Sequence, residues 1–191
     1  MVRSEAQAYT IDSPFGALLI PARIGKKDGA PGMSIEWIVN QTQAEIASFE
    51  AGAAVLQMAA GIARRHDGDL SFAHAANRVF VVARDADLLP ALTASVPNDQ
   101  AAIIDQSHGR VCIAVEGPKV GNILSKLFAV DFDESAFTVG TGVASAHHVI
   151  FALIYRETET RFLLFPHRSF ARDFLNALIK AGTEYGVEIE G

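Results

Sequence analysis

Asp105-Gln106-Ser107-His108-Gly109-Arg110-Val111-Cys112-Ile113-Ala114-Val115-Glu116-Gly117-Pro118 is the stretch whose reading decides the fold. Val111 to Val115 is unbroken apolar chain, rich in β-branched residues, and reads as a buried strand. Gly117-Pro118 ends it and places proline where a helix can begin without losing a needed hydrogen bond. The helix expected from there to Phe128 presents Val120, Ile123, Leu124 and Leu127 on one face. Val143 to Tyr155 is long and β-rich, and reads as one bent strand or two paired ones. Arg161 to Phe165 is a further strand. Ser169 is placed to cap a helix running to about Lys180, and Val187-Glu188-Ile189 closes as a short strand. Strand, helix, strand or strands, strand, helix, strand is the ferredoxin-like order.

The same plan is looser upstream. Residues 1–8 are expected to form a flexible terminus, and Tyr9 to Ile24 mixes extended segments around Ser13-Pro14-Phe15-Gly16. Lys26 to Gly32 is a loop broken by two glycines and a proline, and Met33 to Asn40 reads as a strand. Thr42 with Glu45 three residues on resembles a capping box. It would open a helix whose apolar positions are Ile46, Phe49, Ala53, Leu56 and Ala60, ended by His66-Asp67-Gly68-Asp69. Asn77 to Arg84 is a strand, and Asp85 caps a short helix carrying Leu88, Leu89 and Leu92. The expected class is α+β, with two ferredoxin-like (split βαβ) lobes at 9–100 and 101–191.

Composition narrows the function classes. The 191 residues are 50% hydrophobic and 20% charged, and the mean hydropathy is +0.22. Soluble domains average about 25% charged residues, so either large faces are buried against partners or alanine dominates the count. The formal net charge is −6, and no block of Lys and Arg exists to attract a phosphate backbone. Nucleic acid is not an expected partner. Cys112 is the only cysteine, which excludes an intramolecular disulfide and a cysteine-based zinc site. Met1 to Gln7 carries no apolar run of a signal peptide. Ala51 to Ala63, the most membrane-like stretch, falls short of the roughly 20 apolar residues a spanning helix needs. A cytoplasmic protein is expected, with no membrane as partner.

Candidate chemistry is sparse. Asp105, Ser107 and His108 bring an acid, a hydroxyl and an imidazole together, but a triad needs the histidine between the other two. In extended chain, Asp105 and Ser107 share a face and His108 takes the other. Side-chain-to-backbone hydrogen bonds of a turn suit these residues better. His147-His148 face opposite ways on a strand, and no Cys, Asp or Glu completes a metal set at familiar spacing. Gly117-Pro118-Lys119-Val120-Gly121 lacks the Gly-Lys-Ser/Thr ending of a phosphate loop. Gly140-Thr141-Gly142 lacks the third glycine of a dinucleotide fingerprint. Arg110, Arg161 and Arg168 stand at strand ends or a helix start, where a guanidinium can hold carboxylates in a bidentate fork, including across an interface. No catalytic, cofactor-binding or metal residue is expected. Structural or interface roles are expected for Asp105, Ser107, Arg110, Arg161, Arg168 and Phe170.

Asp105-x-Ser107-x-Gly109-Arg110, Gly117-Pro118, Leu124, Asp131, Phe137, Gly140 and Arg168-Ser169-Phe170-Ala171 stand in an order that resembles the gamma subunit of heterotetrameric sarcosine oxidase. The likeness covers the C-terminal half, and the first hundred residues match only in general plan. More distantly, this half is similar to the aminomethyltransferase (T-protein) of the glycine cleavage system. The acidic pair usual there after the glycine-rich turn is missing around Ala146-His147-His148, so folate chemistry is not carried over. The resemblance implies a noncatalytic subunit, without cofactor, of a flavin-dependent oxidase or dehydrogenase acting on sarcosine or another N-methyl amino acid. Its partners would be an alpha subunit binding NAD and tetrahydrofolate, a beta subunit with FAD and a covalent FMN, and a zinc-binding delta subunit. The alternative is a stand-alone folate-binding protein of aminomethyltransferase type.

Overall fold

A computed structural model describes residues 13–64, 68–84 and 86–190. The expectations for residues 1–8, for Asp85 as a cap and for a helix end at His66-Asp67 lie outside the described residues. The elements are β1 (Ala22–Ile24), β2 (Met33–Ile38), β3 (Thr42–Ser48), α1 (Ala54–Ala63), β4 (Leu70–Ala75), β5 (Arg78–Ala83), α2 (Leu88–Ser95) and β6 (Ala101–Asp105). They continue with β7 (Cys112–Glu116), α3 (Val120–Ser125), β8 (Gly142–His147), β9 (Ile150–Arg156), β10 (Arg161–Pro166), α4 (Ala171–Gly182) and β11 (Val187–Ile189). The class is α+β, as expected.

Two sheets share these strands. The smaller runs β4-β5-β3-β6 with every neighbour antiparallel, which is the split βαβ order of β3-α1-β4-β5-α2-β6. The larger runs β1-β11-β2-β7-β10-β9-β8. Within it, β7-α3-β9-β10-α4-β11 repeats the plan, with β2 inserted between β7 and β11 and parallel to β11. Residues 42–105 thus build the smaller sheet and its helices, and strands from both sides of position 100 enter each sheet.

Side-chain alternation along the strands sorts three cores. On the outer face of the larger sheet, Ile113, Val115, Phe162 and Leu164 pack beneath Ile123, Leu124, Phe174 and Leu178 from α3 and α4. On the outer face of the smaller sheet, Ala44, Ile46, Val79 and Val81 pack beneath Val55, Ala59, Leu88 and Leu92 from α1 and α2. The two inner faces meet each other: Phe72, Phe80 and Val82 lie against Cys112, Ala114, Leu153, Leu163 and Phe165. Phe80 and Phe165 are fully buried, with ring centroids 5.1 Å apart at 62°. Each such burial stabilises by about 1.5–3 kcal/mol, and an edge-to-face pair adds about 0.5–1.5 kcal/mol.

Two local expectations are corrected. Thr42 to Ser48 is a strand, and the capping box does not form. Ala44 and Ile46 point to one core while Gln43 and Glu45, also buried, point to the other; this period of two overrides the helical spacing. The apparent helix ran a strand, a turn at Gly52 (φ +68°) and α1 into one pattern, and α1 begins only after Ala53 with no side-chain cap. Ser169 likewise caps nothing. It lies in a 3-10 turn, Arg168–Phe170, and α4 follows with no side-chain cap hydrogen bond. Val143 to Tyr155 resolves into two paired strands, β8 and β9, turning at His148 with φ +53°.

Where β8 passes β4, Gly142 lies against the ring of Phe72, which stacks on Tyr155 at 5.3 Å. A Cβ at position 142 would fall within that ring. Gly142→Ala is expected to destabilise by about 1–3 kcal/mol through overpacking, read as a lower urea midpoint with an unchanged slope.

Candidate functional site

The chain leaves the larger sheet for the smaller between β2 and β3, and returns between β6 and β7. The two crossings are tied together. Gln106 N–H donates to Gln43 O at 2.8 Å, and Gln43 N–H donates to Ser107 Oγ at 3.1 Å. Asp105 Oδ1 accepts from Ser107 N–H at 2.9 Å. Gly109 and Arg110 N–H both donate to Gln106 O, which closes the turn. Asp105 and Ser107 therefore serve the turn and its tie to the other crossing. Ser107 Oγ is bonded to the Gln43 backbone, and the exposed His108 does not enter that network.

From this turn the Arg110 side chain goes inward. Its residue is 9% exposed, its Nη1 donates to Phe165 O at 2.8 Å, and its guanidinium lies 6.0 Å from the centroid of Phe80. Burial pushes its pKa down, against the attraction of Glu45. Glu45 itself is paired with Arg78, and its Oε2 stands 3.4 Å from His74 Nε2. Burial pulls His74 below the ordinary histidine value, and the Glu45 carboxylate opposes it. Beside this group a cavity of about 500 Å³ opens at the crossing, lined by Trp37, Gln43, Ser107, His108, Arg110 and Arg168 among others.

The remaining residues singled out from sequence lie elsewhere. Arg161, on β10, holds three carboxylates of its own chain: Glu157 at 2.8 Å, Glu116 at 2.9 Å and Glu36 at 3.0 Å. Burial disfavours its charge, but hydrogen bonds to Glu36, Glu116 and Glu157 outweigh that and raise its pKa. Arg168 N–H donates to Gly109 O, which fastens the turn before α4 to the crossing. Phe170, two residues on, is 37% exposed. The His147 and His148 rings are 4.4 Å apart, with His147 Nδ1 3.1 Å from Leu127 O. Among the described residues, no group of three or more His, Cys, Asp or Glu is placed to hold a metal ion.

Sequence reasoning takes Glu45 for half of a capping box and misses His74 and Arg78; the three come from three different strands. It also misses Arg156. That side chain is 5% exposed and donates to Phe137 O at 2.7 Å and to Glu159 O at 2.9 Å. The only available cue was an arginine ending the apolar run of β9.

No family model matches the chain. Among solved structures, aminomethyltransferase T of the glycine cleavage system from Bartonella henselae superposes with a TM-score of 0.54 at 14% identity, over 78% of this chain and 46% of that one. The chain thus has an α+β fold of aminomethyltransferase type. The heterotetrameric sarcosine oxidase from Corynebacterium sp. U-96, in complex with pyrrole 2-carboxylate, matches with a TM-score of 0.71 at 21% identity, over 82% of this chain and 87% of that one. In sequence, the chain is 26% identical over 103 residues to sarcosine oxidase subunit gamma from Corynebacterium sp. strain P-1. That alignment takes in 54% of this chain and 51% of the relative, about half the relative's length. The similarity to a sarcosine oxidase gamma subunit read from the blocks between Asp105 and Ala171 is thereby found independently.

The Asp105 carboxyl is held below the usual carboxylate value by the hydroxyl of Ser107 and then by its N–H. A depressed folded-state pKa stabilises above the unfolded value, about 3.9, and that contribution disappears as pH falls through the folded-state value. Asp105→Asn is expected to be less stable than the unaltered chain at pH 7. Denaturant titrations at descending pH should show the difference closing below about pH 4.

Proposed function

We propose that the chain is the noncatalytic gamma subunit of a heterotetrameric, flavin-dependent oxidase or dehydrogenase of sarcosine or another N-methyl amino acid, working in the cytoplasm. The observation that carries this reading is the 0.71 TM-score likeness to heterotetrameric sarcosine oxidase, spanning 82% of the chain and 87% of its counterpart. Its partners are then the alpha, beta and delta subunits. FAD, FMN, NAD, tetrahydrofolate and zinc belong to those chains.

The surface offers support of its own. Val149 and Phe151, on the β8–β9 hairpin, are 71% and 63% exposed, a placement suited to burial against another subunit. Phe170 and Arg168, adjoining the crossing, are the members of the sequence-derived set best placed to meet a partner. Asp105, Ser107, Arg110 and Arg161 serve the chain's own architecture in this reading. Among the described residues, no helix is long and apolar enough to cross a membrane.

A tagged copy purified from its native host, followed by mass spectrometry and an absorbance scan, tests the proposal. Copurification with larger chains and a flavin spectrum is the expected result. A colourless species alone at 20.4 kDa overturns it, and saturable folate binding by that species would favour the stand-alone aminomethyltransferase-like protein. Within the intact complex, alanine at Asp105, Ser107 or His108 is expected to reduce stability or assembly and leave turnover near normal. A loss of about a hundredfold in turnover with normal assembly, worth about 2.7 kcal/mol of barrier, would place these residues in the chemistry.

A further inference from the structure

The cavity at the crossing is cationic in a chain of net charge −6. Two arginines and a histidine, Arg110, Arg168 and His108, contribute to its wall, and none of the described residues lining it is acidic. Arg110 is nine-tenths buried and makes no salt bridge among the described residues; its Nη1 donates to a backbone carbonyl. The nearby carboxylate of Glu45 is engaged by Arg78 on the other side. Glu45 attracts Arg110 without pairing with it, and a buried guanidinium lacking a paired carboxylate is costly, because its desolvation is only partly repaid.

The neutral polar groups around it are also incompletely satisfied. Gln43 is 3% exposed. Its Oε1, like Gln41 Oε1 and Arg110 Nε, is buried with no hydrogen-bond partner. As placed, Gln43 turns an acceptor to this space; a half-turn of the amide presents its NH2 donors instead, so Gln43 can meet a ligand's oxygen beside the guanidinium. Trp37, the only tryptophan in the chain, also lines the cavity. At about 500 Å³, the space is of small-molecule size.

We propose that this cavity binds a small anion, a carboxylate or a phosphate, with its charge on Arg110 and Gln43 and any apolar body against Trp37. Charge-assisted hydrogen bonds to guanidinium are among the stronger ones a site of this size can offer. The inference stands on the cavity alone and does not depend on the subunit reading.

Trp37 makes the test direct. The full chain is titrated at constant ionic strength with cyclohexanecarboxylate, with inorganic phosphate and with neutral cyclohexanecarboxamide, while the Trp37 emission is followed. A saturable change with at least one anion, half-complete below about 1 mM, and none with the amide, is expected. A response to the organic acid alone assigns a carboxylate with an apolar body, and a response to phosphate assigns an inorganic or phosphorylated anion. Gln43→Glu, which sets a like charge where the anion would sit, should weaken binding at least about tenfold, and Arg110→Gln should do the same. Because Arg110 also holds Phe165 O, circular dichroism accompanies both variants, and the titration of the unaltered chain decides even where a variant does not fold. No saturable signal with either anion, an equal response to the amide, or undiminished binding by folded Gln43→Glu overturns the proposal.

Discussion

The inner faces of the two sheets must find each other, and the rest of the architecture depends on that contact. Neither sheet is covered by helices on both sides: α1 and α2 shield one face of the smaller, α3 and α4 one face of the larger. Phe72 and Phe80 from the smaller sheet and Phe165 from the larger fill the space between, and the larger sheet sets the small residues Cys112 and Ala114 on the same inner face. Large against small across an interface lets the layers interdigitate at the density of a protein interior. Cys112 is part of this surface, and its thiol is pushed far above the ordinary cysteine range by burial. It behaves as a small apolar group.

Much of this was legible in the sequence. The C-terminal strands and helices announced themselves because β7 and β10 are covered on both faces and read as continuous apolar runs, while α4 carries an amphipathic stripe between polar residues. The segment from Thr42 to Ser48 was read as helix because its inward polar residues, Gln43 and Glu45, break the apolar pattern of a buried strand. Their burial depends on Arg78 and on the Ser107 turn, each far away along the chain. The insertion of β2 beside β11 is a non-local pairing that no window of sequence contains. The same holds for the candidate site: Arg110 was visible, but the Gln43 and Trp37 beside it come from the opposite crossing.

The arginines show how one residue type takes different work in one chain. Arg161 gathers carboxylates from β2, β7 and the end of β9 into a patch at one end of the larger sheet. Arg156 sits 5.3 Å from the centroid of Phe162 and donates to the carbonyls of two loops. Its fork replaces secondary structure where the segment between α3 and β8 has none. Arg110 joins the turn of one crossing to the last residues of β10. With a net charge of −6, the chain buries Arg110 and Arg156, half-buries Arg161 and leaves most of its described acids to solvent.

The position of β11 has a consequence for how the molecule comes into being. It lies between β1 and β2, so strands synthesised early are held apart until the last of the sheet has been made. Residues 42–105 suffer no such delay, since β3 to β6 complete their sheet among themselves. The inserted unit has all its strands by Asp105, whereas the order of the larger sheet needs Val187–Ile189. Pairings so distant along a chain form slowly. Until β11 is in place the edges of β1 and β2 that it covers are open to neighbours, so early docking of this one strand guards against mispairing.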